Sequence, residues 1–191
     1  MPMKFRAHDT FFIRKGWLSK GMRCVSNQPD VFISKDSNPM DVLGIGANMV
    51  KALRYWLQTV GLTYEPAKGK RIQNFTELGK MVFEHDTYIE ELGTLYLLQY
   101  CLASQKEEAT AWYFFFNEFS MSEFSREDFV DALQKYIKMQ ADENDYAIAS
   151  SEGYHSQVFP LLSVIKTWVS ASYATPSRFA KSSTGSPLSD R

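Results

Sequence analysis

The stretch NPMDVLGIGANMVKALRYWLQTVGLTYEPAKGKRIQNFTELGKMVF, residues 38–83, decides the fold. Asn38-Pro39 reads as a helix start, with Asn as the cap and Pro at the first helical position. Met40–Leu43 is then a short helix, and Gly44-Ile45-Gly46 a tight turn. Ala47–Val60 reads as a long amphipathic helix that Gly61 ends. On a helical wheel of about 100° per residue, Met49, Val50, Leu53, Trp56, Leu57 and Val60 share one arc. Ala47, Asn48, Lys51, Arg54, Tyr55 and Gln58 fill the opposite arc. That second arc is polar, basic and without acid, which suits a polyanion better than water alone.

The residues that follow are shaped like a wing. Leu62–Glu65 is a strand candidate, 66–70 a turn carrying Lys68 and Lys70, and Arg71–Phe75 the returning strand. Thr76 then caps a helix over Glu77–Phe83, with an acid in its first turn. Short helix, turn, long helix, hairpin with a basic tip and helix is the order of a winged helix-turn-helix. A helix of that kind fits the major groove of DNA, and a basic hairpin reaches phosphates beside it. Lys51, Arg54 and Gln58 are expected to face the groove. Asn48 caps the helix or contacts a phosphate, and Lys68, Lys70 and Arg71 grip the backbone. Winged helices also dock proteins, so a partner-binding surface remains the competing reading.

Working outward, residues 5–14 read as a strand or an extended lead-in. Lys15–Val25 forms a short helix with Trp17, Leu18 and Met22 on one side, and Val31–Ile33 is a strand candidate in a turn-rich segment. Towards the C-terminus, helices are expected over Thr87–Ala103, Glu107–Phe119 and Ser125–Gln140. Ser125 and Asp128 form a capping-box pattern with Asp in place of the usual Glu. Residues 141–157 are polar, Val158–Tyr173 is a further helix candidate, and from Ala174 the composition predicts disorder. The fold class expected is mainly α, a winged helix-turn-helix (1–83) followed by a helical bundle (84–173) and a tail (174–191).

Composition narrows the function. At 45% hydrophobic and 15% aromatic residues, the 191-residue chain excludes a disordered protein. No apolar run approaches the ~18 residues of a membrane span, and the N-terminus lacks the apolar core of a signal peptide. Cys24 and Cys101 lie far apart with no metal-ligand spacing, which predicts reduced thiols in the cytoplasm. The net charge of −1 hides an asymmetry. Residues 1–80 hold 13 Lys and Arg against 6 Asp and Glu, whereas residues 81–191 hold 8 against 16. A basic half fits a nucleic-acid face, or simply attracts the acidic half. Arg14, Lys15, Lys20 and Arg23 either extend a DNA footprint or neutralise those acids.

Candidate chemistry is thin. His-Asp-Thr occurs at 8–10 and again at 85–87. His8, Asp9, His85 and Asp86 are therefore candidate catalytic residues for phosphodiester cleavage, as general base or as ligands of a divalent metal. Adjacent side chains point apart, so the two copies would have to meet in space. The competing explanation is structural: His8 packs on Phe11 and Phe12, while His85 and Asp86 form a turn between helices. Asp142, Glu143 and Asp145 lack the glycine and terminal glutamate of a calcium loop. Gly44-Ile45-Gly46 is too short to cradle a phosphate, and Trp112–Phe116 has no interleaved cations to make a base-stacking platform.

The stretches AHDTFFIRKGWLSKG, MDVLGIGANMVKALRYWLQTVGL, NFTELGKMVFEHDTYIEELGTLYLLQYCLAS and ATAWYFFFNEF carry a family resemblance. They resemble a bacterial domain-of-unknown-function family that includes SspB, the nicking component of single-strand DNA phosphorothioation systems. The resemblance covers roughly residues 5–120. It implies a role in placing sulfur in the DNA backbone or in the anti-phage defence that uses the mark. Double-stranded DNA and other phosphorothioation-system proteins are the implied partners, with a divalent metal if the chain nicks. A second function follows from the same resemblance: an adaptor that docks a phosphoadenosine-phosphosulfate-reductase-like sulfur-transfer enzyme without touching DNA. Winged helices often pair on two half-sites, so a homodimer is an open expectation, although no heptads argue for it.

Overall fold

Asn38 starts the central helix pair as its side chain predicts: Oδ1 accepts a hydrogen bond from the Met40 amide at 3.1 Å. The computed structural model describes residues 3, 7–8, 11–14, 16–34, 37–67 and 69–140. Along these, the elements are α1 (Trp17–Asn27), α2 (Pro39–Leu43), α3 (Ala47–Thr59), β1 (Thr63–Tyr64), β2 (Asn74–Phe75), α4 (Glu77–His85), α5 (Leu92–Ala103), α6 (Thr110–Asn117) and α7 (Arg126–Gln140). The described chain is thus mainly helical, with α2, a turn, α3, a hairpin and α4 in succession. The helix candidate 158–173, the tail and the carboxylates at 142–145 lie outside the described residues.

Gly61 ends α3. It takes φ +79°, a left-handed backbone that only glycine adopts cheaply. Its amide donates to the Gln58 carbonyl at 2.9 Å, and the Leu62 amide to Leu57 at 3.0 Å. These two bonds make a Schellman stop, closed by burial of both leucines. The chain then turns straight into β1, which pairs antiparallel with β2 through Thr63 opposite Phe75 and Tyr64 opposite Asn74. Thr76 returns the hairpin to helix. Its amide donates to the Leu62 carbonyl at 3.1 Å, and its hydroxyl accepts from the Gly79 amide at 2.9 Å.

Two local expectations are corrected. Val31 and Phe32 are buried, yet Val31–Ile33 is no strand. The Val31 amide bonds back to Gln28 at 3.0 Å and the Ile33 amide to Asp30 at 2.9 Å, a run of turns set up around Pro29. The helix expected from Thr87 starts only at Leu92. Asp86 is the reason: its carboxylate accepts the amides of Glu90 (2.9 Å) and Glu91 (3.2 Å), and Ile89 takes φ +54°. A short acidic side chain here outcompetes the first helical turn for backbone donors.

Trp56 sits at the centre of the core. Its Nε1 donates to the Phe11 carbonyl at 2.8 Å, its face stacks on His8 at 5.0 Å, and it meets Trp112 of α6 edge-on at 6.2 Å. Beyond Trp112, Phe114 packs on Phe129 and Tyr136 of α7 at 5.7 and 4.9 Å. Buried residues from α1 to α7 form one continuous hydrophobic cluster. No helix among the described residues is long and apolar enough to cross a membrane.

Candidate nucleic-acid interface

The apolar arc of α3 is buried as its periodicity predicts, with Val50, Leu53, Trp56, Leu57 and Val60 in the core. The opposite arc is therefore on the surface, and it divides in three. Asn48 and Lys51, in the first half of the helix, are exposed. Arg54 and Gln58, one turn apart, both reach Glu65 at the end of β1. Arg54 Nη1 donates to Glu65 Oε1 at 2.8 Å, and Gln58 Nε2 donates to the same oxygen at 3.0 Å. Tyr55 leaves the arc altogether. Its hydroxyl donates to the Glu108 carbonyl at 2.7 Å, and burial pushes its pKa far above the ordinary tyrosine value. Tyr55 thus ties α3 to the turn before α6 and is not part of a groove-facing surface.

The hairpin is held against α3 by a buried polar relay. The Thr63 hydroxyl donates to Gln73 Oε1 at 2.7 Å, and Gln73 Nε2 donates to Glu65 Oε1 at 2.9 Å. The Gln73 amide also donates to the Pro29 carbonyl at 2.8 Å, tying the hairpin to the loop after α1. At the tip, Lys70 and Arg71 are exposed, and Arg71 takes φ +56°. Lys68 lies outside the described residues. The basic arc and basic tip thus lie on two elements clasped together by one carboxylate. That carboxylate had a signal in the sequence: Glu65 is the sole acid between Asp41 and Glu77. Its partners come from three separate segments, which no local pattern reveals.

Of the flanking basic residues, Lys20 and Arg14 have structural partners and Arg23 is exposed. Lys20 donates to the Leu43 carbonyl at 3.0 Å, satisfying the end of α2. The Arg14 guanidinium lies 5.4 Å from the Trp17 ring centre and 6.0 Å from that of Phe12. Lys15 lies outside the described residues.

Of the candidate catalytic residues, His8 precedes α1, whereas His85 ends α4 and Asp86 follows it. His8 is buried against Trp56 and Tyr55, with ring centres 5.0 and 5.7 Å apart, and its carbonyl accepts the Phe11 amide at 3.0 Å. His85 is exposed at the last residue of α4, and Asp86 caps the turn that follows. Burial raises the Asp86 pKa, but the hydrogen bonds from Glu90, Thr94, Glu91 and Ile89 outweigh it and the net shift is downward. Asp9 lies outside the described residues. Among the described residues no group of three or more His, Cys, Asp or Glu is placed to hold a metal ion. Cys24 and Cys101 are unbridged and half-buried, and burial pushes both thiols upward, the opposite direction to that of an activated thiol.

The family described as Protein of unknown function (DUF4007) matches residues 5–152. The chain belongs to this family. Two solved structures share the DUF4007 chain's fold. A magnesium ion-bound SspB crystal structure is 32% identical, with a TM-score of 0.61, and the match covers 71% of this chain and 42% of that one. An SspB crystal structure is 30% identical, also with a TM-score of 0.61, covering 71% of this chain and 43% of that one. The chain thus spans less than half the length of those SspB chains. No curated protein matches it.

Proposed function

We propose that this DUF4007 chain is a DNA-binding component of a bacterial DNA phosphorothioate modification and defence system. The observation that carries the reading is the pairing of exposed Asn48 and Lys51 on α3 with exposed Lys70 and Arg71 on the adjoining hairpin. The likeness to SspB at 32% identity adds the system. In this reading the unit from α2 to α4 is a winged helix-turn-helix. Its α3 enters the major groove, Lys51, Arg54 and Gln58 face base edges or phosphates, and the hairpin with Lys68, Lys70 and Arg71 holds the backbone. Two such modules on two half-sites would act as a homodimer.

A contribution to strand nicking is not assigned to the described residues. One of the SspB structures is magnesium-bound, but the described part of this chain gathers no donor set for such an ion. His8 is moreover enclosed by aromatic rings.

Titration of a labelled duplex at several salt concentrations tests the reading. Phosphate contacts release counterions, so the logarithm of the binding constant falls with the logarithm of salt by about 0.9 per phosphate neutralised. Replacing Lys51→Ala together with Lys70→Ala is expected to flatten that slope by about 2. Absence of binding even at low salt would reject the DNA reading.

One observation favours the adaptor. Helix α5 carries no charged residue, and Leu92, Tyr96, Leu97 and Tyr100 are exposed on it. A sulfur-transfer enzyme of the phosphoadenosine-phosphosulfate-reductase-like class docked there would bind through apolar burial, which salt hardly weakens. Association with that enzyme that persists in high salt and is lost on Tyr96→Asp/Tyr100→Asp would favour this function.

A further inference from the structure

A carboxylate on a surface meant for phosphates costs affinity, because like charges repel. Glu65 nonetheless stands between the two basic elements, with its side chain 13% exposed and that of Arg54 30% exposed. We propose that Glu65 is a specificity-determining residue of the DNA face: it holds Arg54 and Gln58 in one fixed arrangement against the hairpin and withholds Arg54 from indiscriminate phosphate contact. This inference rests on the DNA-binding reading above.

The geometry supports both parts of that role. Arg54 and Gln58 are four residues apart, so they rise one above the other on α3 and a single oxygen reaches both. The same oxygen accepts from Gln73, which is fully buried. Gln73 cannot turn its amide over without losing its bond to Glu65 and setting two acceptor oxygens against each other, since Glu65 only accepts. The Arg54–Glu65 pair is therefore anchored from beneath by a buried group and is more than a loose surface ion pair. Arg54 uses one of its five donors here, so the remaining donors point from a fixed base. A fixed guanidinium can read a base edge bidentately. A freely swinging one contacts any phosphate. Neutralising Glu65 while keeping its shape would free Arg54 for the second use.

The experiment compares wild type, Glu65→Gln, Arg54→Ala and the double variant. Each binds a labelled duplex of random sequence across a salt series, after thermal melts establish that all are folded. Glu65→Gln is expected to bind more tightly at low salt, with a slope steeper by about 0.9, one added phosphate. Between 50 and 200 mM salt that is roughly a threefold greater loss of affinity than wild type shows. In the Arg54→Ala background the same change should leave the slope unaltered. A purely structural role would not steepen a salt slope, and would not need Arg54 to do so. Wild type that binds with a slope unchanged by Glu65→Gln overturns this inference and spares the DNA reading. Wild type without salt-dependent binding overturns both.

Discussion

Gly79 shows how little room the hairpin leaves at the scale of one residue. It is the third residue of α4, and a Cβ built on it would lie 1.9 Å from the Leu62 carbonyl oxygen and 2.8 Å from its carbon. Both are backbone atoms, so no side chain can swing away. Leu62 is also the residue whose carbonyl accepts the Thr76 amide, so the contact is where α4, β1 and the end of α3 converge. Gly79→Ala has to push α4 off the hairpin, and overpacking of that kind costs about 1–3 kcal/mol. A urea denaturation curve should show the loss as a lower midpoint. A midpoint equal to wild type would mean that α4 does not approach the hairpin this closely. Nothing in the tetrapeptide Thr-Glu-Leu-Gly announces the contact. The threonine is readable as a cap because its partner is three residues away, whereas the glycine answers to a carbonyl seventeen positions earlier.

The same distinction between near and far partners governs whole elements. The start of α2 at Asn38-Pro39, the stop of α3 at Gly61 and the capping box before α7 were all legible, since each is satisfied within about one turn. The start of α5 was not. The apolar spacing from Ile89 onward suits a helix, but Asp86 takes the amides that such a helix would have had to leave for water. Before α7, Ser125 and Asp128 cap one another: the Asp128 amide donates to Ser125 Oγ at 3.1 Å, and the Asp128 carboxylate accepts the Ser125 amide at 2.8 Å and its hydroxyl at 2.7 Å. The Ser125 amide, then its hydroxyl, holds the Asp128 pKa below the ordinary carboxylate value. A depressed folded pKa means that the ionised carboxylate supports the cap above the ordinary value, and that the support is lost as pH falls through the folded one. Amide exchange in the first turn of α7, corrected for the intrinsic pH dependence, should therefore speed up on acidification in wild type. In Asp128→Asn, whose amide cannot titrate, it should not. Equal pH profiles for the two proteins would remove Asp128 from the cap.

Across the whole molecule, periodicity made the buried faces legible but not which face meets which. The apolar arc of α3 and the aromatic run of α6 were each readable. Their meeting through Trp56 and Trp112 was not, because it joins positions on either side of the boundary drawn at residue 83. Tyr55 crosses the same boundary to the Glu108 carbonyl. Trp112 then leads on to the Phe114, Phe129 and Tyr136 stack against α7. With one cluster running from α1 to α7, the described part of the chain should unfold as a unit. Trp112→Ala removes the ring in the middle of that path and should cost about 3–5 kcal/mol. The loss should register equally in the amides of α3 and of α7 under native-state hydrogen exchange. Urea transitions followed by far-UV circular dichroism and by the fluorescence of the remaining tryptophans, Trp17 and Trp56 among them, should coincide in the variant as in wild type. Were α7 to open well before α3 in either protein, the basic module would have a core of its own, and its hold on the aromatic helices would be a docking contact between two domains.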